Sequence, residues 1–108
     1  MRDGARTGVP IREAVLRTLR AHEGELRERF AVRSLALFGS VARDEASSAS
    51  DVDLLVEFTR PVGYFHLFRT RDYLRRILGM RSVDLVHRPA VHPELQPQIY
   101  GEALDVLG

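Results

Sequence analysis

The chain has 108 residues, 44% of them hydrophobic, and a formal net charge of +1. That is enough for one domain with one core, and too balanced to draw the whole molecule toward nucleic acid. There is no cysteine, which excludes a disulfide framework, a thiolate metal site and a thiol nucleophile, and leaves oxygen or imidazole ligands for any metal, a set that favours a hard ion such as Mg²⁺.

All 16 basic residues are arginine and none is lysine. Codon bias in a GC-rich genome explains this better than selection for guanidinium chemistry, but it does exclude a catalytic or phosphate-binding lysine. No apolar run approaches the roughly 20 residues of a membrane span, and the N-terminus lacks the apolar core of a signal peptide. The expected location is the cytoplasm.

Residues 1–9 are polar and read as a loosely ordered arm, with residues 10–108 as the folded domain. From Pro10, a suitable first helical residue, the spacing of Ile11, Val15, Leu19, His22, Leu26 and Phe30 predicts one amphipathic helix. Gly24 falls on its solvent side, and His22 reads as a packed or boundary histidine rather than a metal ligand. Ser34 to Phe38 is short, apolar and followed by Gly39, which predicts a buried strand; Ser40 to Asp44 follows as a short helix. Ala46 to Ser50 reads as a loop and Asp51 to Phe58 as a second strand.

After the break at residues 60–63, a helix is predicted from Tyr64 to Leu78, ended by Gly79. Ser82 to His87 is a third strand. Pro93 and Pro97 leave room for a short helix near Gln98 to Ala103, and Asp105 to Leu107 reads as a small edge strand. This order predicts an α/β fold in which helices flank a small mixed sheet, with the second and third strands parallel because a helix connects them.

Chemistry concentrates between Leu35 and Phe58. Strand alternation points Asp51 and Asp53 the same way. Two carboxylates about 6 to 7 Å apart repel by roughly 2 to 3 kcal/mol at an effective dielectric near 20. For an isolated pair, exposure on a polar sheet face would be explanation enough. Asp84, a third acid inside the apolar run Val83 to Val86, shifts the balance toward a divalent-metal site.

Gly39-Ser40 supplies the other half of such a site. Glycine at a strand-to-helix turn allows a phosphate close to the backbone, and the Ser40 hydroxyl adds a donor. Alone, the pair would read as a tight turn with an N-cap serine; followed by Asp51-x-Asp53 it carries more information. Arg43 has two equal readings, a contact to a triphosphate or a local pair with Asp44 or Glu45.

Gly39-Ser40-x-Ala42-Arg43, then Ser50-Asp51-x-Asp53-Leu54-Leu55-Val56, then Val83-Asp84-Leu85-Val86 resembles the minimal nucleotidyltransferases of the DNA polymerase beta superfamily, over most of the stretch from Ser34 to Val86. The resemblance implies a nucleotidyltransferase fold holding a nucleoside triphosphate and two Mg²⁺ ions, with Gly39 and Ser40 on the β and γ phosphates. It also implies Asp51 and Asp53 as ligands of both metals, and Asp84 as ligand of the catalytic metal that helps to deprotonate the attacking hydroxyl. Members often have Gly after the motif arginine; this chain has Asp44.

Larger members of that superfamily add a domain for the acceptor, for which this length leaves no room. The acceptor is therefore expected on another chain. The resemblance implies a nearby-encoded HEPN-type helical toxin, adenylylated on tyrosine from ATP, with this chain as antitoxin.

Two other readings are a non-catalytic antitoxin that occludes its partner and a small-molecule nucleotidyltransferase of the antibiotic-modifying kind. On the helix from Tyr64 to Leu78, Tyr64, Leu67, Leu74 and Leu78 form a stripe in which Arg71 falls. Arg71 reads as turning its charge outward, or as meeting an acidic group on a partner or nucleotide. Tyr64 and Phe65 read as core or boundary residues. With few aromatics expected at the surface, direct nucleic-acid binding is not predicted, although the stretch from Arg60 to Arg88 holds seven arginines against Asp72 and Asp84.

Overall fold

The computed structural model describes residues 11–43, 51–88, 93–94, 97 and 101–107. The expected arm, the loop from Ala46 to Ser50, and residues Asp44 and Glu45 lie outside these.

The first helical stretch is two helices, α1 (Ile11–Ala21) and α2 (Glu23–Glu28), rather than the single one its spacing predicts. His22 makes the break. Its Nδ1 lies 2.8 Å from the Thr18 carbonyl, which can only accept, so the ring donates there. The His22 backbone N–H bonds instead to Leu19 O at 3.1 Å, one residue short of the α-helical partner. The apolar stripe runs on across the interruption, and Val15, Leu19, Leu26 and Phe30 are all buried. His22 itself is half-buried, edge-on to Tyr73.

Ala31, at φ +57°, reverses the chain into the sheet. Strand β1 (Val32–Phe38) begins two residues before the expected start. The pairing shifts between Val32 and Ser34, so Arg33 bulges outward while Val32 and Leu35, an odd number apart, both reach the core. That bulge breaks the alternation a sequence reading relies on.

Short α3 (Gly39–Ala42) follows, then β2 (Val52–Phe58), α4 (Tyr64–Leu78), β3 (Val83–His87) and β4 (Leu104–Leu107). Helix α4 has its expected bounds, and Gly79 caps it with a left-handed φ of +63°. The strands run in the order β3-β2-β1-β4. β1 is antiparallel to both β2 and β4, and β2 is parallel to β3, as the helical crossover requires. Of the expected last helix, Gly101 and Glu102 are helical, and residues 98–100 lie outside the described set.

One face of the sheet, with Leu35, Leu37, Val52, Leu54, Val56 and Phe58, packs against α1, α2 and α4 to make the main core. The other face has a smaller apolar centre, Ala36 and Leu55, with Phe38, Val86 and Ala103 around it. His66 fastens α4: its Nε2 donates to the Phe30 carbonyl at 2.6 Å, and buried Thr70 donates to the His66 carbonyl at 2.8 Å.

Tyr64 and Phe65 are not core or boundary residues; they are 79% and 85% exposed, and Phe68 is 48% exposed. The face of α4 that turns inward carries Thr70, Tyr73 and Leu74, which leaves the aromatics at its start pointing to solvent. Arg71 also faces outward, its guanidinium 5.3 Å from the centre of the Phe68 ring. No helix among the described residues is long and apolar enough to cross a membrane.

Candidate active site

The turn from β1 into α3 is built on Gly39, whose φ of +77° lies in the left-handed region. A Cβ at this position would overlap Oδ2 of Asp53 and come within 3.0 Å of its Cγ. The requirement for glycine is therefore both conformational and steric. The same contact shows that the backbone of the Gly39-Ser40 turn lies directly against the Asp53 side chain.

Sheet pairing explains the approach. Phe38 and Asp53 are partners across the antiparallel β1-β2 pair. Asp53 and Asp84 are partners across the parallel β2-β3 pair. Neighbouring strands lie about 4.8 Å apart and paired residues share a face, so the turn, Asp53 and Asp84 form one row on the face opposite the helices. Asp51, exposed, lies one residue before β2 and two from Asp53.

The electrostatics match this crowding. Partial burial pushes the Asp53 carboxyl above its ordinary range; the negative charges of Asp84 and then Asp51 push the same way, and Arg43 pulls weakly against them. An acid kept uncomfortable by two others is a group that a cation would relieve. The donor set is all carboxylate oxygen, which suits a hard divalent ion. As the side chains stand, no three acidic or imidazole groups among the described residues converge into a ready-made metal cage. The fold therefore brings the three predicted ligands to one place without closing them on a point.

Arg43 has a partner that neither of its expected readings named. Its Nη1 donates to Glu102 Oε1 at 2.8 Å, a partner 59 residues away, on an ion pair that is partly exposed. No local sequence signal pointed to Glu102, because the contact exists only once the C-terminal segment returns beside α3. Farther along the same face of β2, Ser34 Oγ donates to Glu57 Oε1 at 3.3 Å, across a paired position.

A family model for the nucleotidyltransferase domain matches residues 19–106. The chain belongs to that family. Its fold, a small mixed sheet with flanking helices, and its enzyme class, nucleotidyl transfer, are those of the family. The protein adenylyltransferase MntA of Thermococcus cleftensis is 38% identical over 94 residues, spanning 87% of this nucleotidyltransferase and 94% of that protein. A solved structure of a proposed minimal nucleotidyltransferase superposes with a TM-score of 0.67 at 38% identity, covering 82% of this chain and 93% of the other. The structure of the tri-AMPylated Shewanella oneidensis HEPN toxin in complex with MNT antitoxin matches with a TM-score of 0.62 over 86% of this chain and 72% of that one, at 18% identity. That last likeness is one of fold.

Proposed function

We propose that this nucleotidyltransferase moves AMP from ATP to a tyrosine hydroxyl of a HEPN-type partner, with Mg²⁺, and that it thereby serves as the antitoxin of a toxin-antitoxin pair. The observation that carries the reading is the contact of the Gly39 turn with Asp53, itself paired with Asp84. A phosphate-holding turn and the acids of nucleotidyl transfer belong to one site only if they touch. The likeness to an adenylyltransferase over nearly all of that relative's length supports AMP as the transferred group, and the complex of an MNT antitoxin with an AMPylated HEPN toxin supports the partner class.

In this reading Gly39 and Ser40 hold the β and γ phosphates of the donor, the first by leaving its backbone open and the second through its hydroxyl. Arg43 stands beside them. Asp51, Asp53 and Asp84 would hold two Mg²⁺ ions, which when bound neutralise phosphate charge and favour the ionised acceptor. Asp84 helps to take the acceptor's proton. The acceptor oxygen forms a bond to the α phosphorus, the bond from that phosphorus to the bridging oxygen breaks, and pyrophosphate leaves with the electron pair. Most of the protein's work is orientation and charge placement.

The test is label transfer from α-labelled ATP to the protein encoded beside this gene, with Mg²⁺. Transfer by the wild-type chain and none by an Asp51→Asn, Asp53→Asn double variant is the expected result. Equal labelling by the two would sink the proposal. A second reading, neutralisation by occlusion without chemistry, is favoured by the exposed aromatic surface on α4; it predicts that the double variant protects cells from the partner as well as wild type does.

A further inference from the structure

Tyr64, Phe65 and Phe68 form the most conspicuous surface outside the acidic site, exposed by 79%, 85% and 48% on the first turns of α4. A fully presented aromatic side chain offers roughly 200 Å², so together they show on the order of 400 Å². That is as large as the largest apolar patch of a typical monomer, and about half of what one partner contributes to an ordinary protein interface.

A groove of about 490 Å³ opens beside them, lined by Phe58, Val62, Leu67, Leu85 and Val86, with Tyr64 at its rim. It lies between the start of α4 and β3, which ends the sheet order. The surface is held rigid from behind by His66 on the Phe30 carbonyl. It is braced from the side, where Tyr64 and Phe68 stack at 6.3 Å and Arg71 covers the Phe68 ring. Rigid aromatics beside an apolar groove are what binding hot spots are made of.

We propose that this surface is the docking face for a partner protein that presents apolar side chains ringed by carboxylates. The charge at the surface selects that partner: the Arg71 guanidinium lies over the Phe68 ring and no acidic residue is among those lining the groove, so two copies of this chain set face to face would oppose like charges. A protein occupant also suits the groove better than nucleic acid does. Its lining takes aliphatic side chains, and the Tyr64 and Phe68 rings are already stacked on each other rather than splayed for bases.

The position fits the reaction as well. Val86 and His87 of the groove follow Asp84 by two and three residues on β3, a run of about 10 Å, so a chain docked here reaches the acids with one of its own side chains. This assignment rests on the reading in which the acceptor arrives on another protein, and it names the surface that receives it.

The experiment measures binding of the full chain to the protein encoded beside its gene, by titration calorimetry at two salt concentrations. A Tyr64→Ser, Phe65→Ser, Phe68→Ser triple variant removes only exposed side chains, and its unfolding temperature is recorded alongside; Arg71→Glu is the second variant. Docking here predicts at least a hundred-fold loss of affinity in the triple variant with a Tm like that of wild type. It predicts about a ten-fold loss in Arg71→Glu and a weaker wild-type interaction at high salt.

Wild-type affinity in the triple variant overturns the proposal. So does a wild-type dimer in sedimentation that the triple variant abolishes, or a loss confined to binding of a single-stranded RNA oligonucleotide. Should wild type bind through this face yet transfer no AMP, the adenylyltransferase reading fails while the docking face stands.

Discussion

At the scale of single residues, Asp53 is the pivot. Its carboxyl is raised by burial and by Asp84 and Asp51, so ionisation costs more in the folded chain than in the unfolded one. The sign follows: stability is lost as pH rises from the ordinary carboxylate range through the raised folded value, and is recovered on acidification. Asp53→Asn is expected to stabilise the metal-free protein at pH 7 by no more than about 1 kcal/mol, because the site is open to water, and so to raise its Tm. The advantage should shrink as pH falls. Thermal scans of both proteins across pH would show it, and a constant difference would contradict it.

Gly39→Ala meets two obstacles, a left-handed backbone and the Asp53 carboxylate. We expect a loss of about 1 to 3 kcal/mol together with impaired label transfer, whereas Ser40→Ala should retain stability. Both residues were legible in the sequence as chemistry, since glycine before a short helix and paired acids are rare together. The steric reason for the glycine was not, because it depends on Asp53 arriving from another strand.

At the scale of elements, legibility followed periodicity. Helix α4 kept its predicted bounds because a Gly on either side defines it locally. The first helix was misjudged because its stripe survives the break: a histidine ring that takes the Thr18 carbonyl interrupts hydrogen bonding without changing which side is apolar. The start of β1 was hidden by a bulge for the converse reason, a shift in alternation with no change in structure type.

Two substitutions test these local devices. Gly79→Ala should cost about 1 kcal/mol through its positive φ, seen as a shift of several degrees in Tm. His66→Ala removes the bond to the Phe30 carbonyl and leaves that half-sheltered acceptor unpaired, a cost of about 1 to 3 kcal/mol; urea titration should report it, with the slope unchanged. Exposure of Tyr64 and Phe65 could not be read from the stripe, since both lie at the helix start, where a one-residue rotation decides between core and solvent.

At the scale of the molecule, the sheet brings three distant stretches into one row: the β1 turn, the start of β2 and the start of β3. Because β2 and β3 are parallel, their acids enter from the same end, which an antiparallel pair would not guarantee. Cations should then bind the folded state alone. Mg²⁺ with a non-hydrolysable ATP analogue, each at about a hundred times its dissociation constant, is expected to raise Tm by about 10 °C. EDTA should reverse the rise, and the Asp51→Asn, Asp53→Asn variant should show little of it.

The Arg43–Glu102 pair has a bearing on the timing of catalysis. It ties the residue that follows α3 to the segment leading into β4, and being partly exposed it is worth no more than about 1 kcal/mol. In the proposed reading, a triphosphate that draws on Arg43 would loosen its pair with Glu102 and with it the chain before Leu104. Loading of the donor would thus be felt at the far edge of the sheet as faster amide exchange in residues 101–104, a clock hand moved by the nucleotide and visible before any product forms.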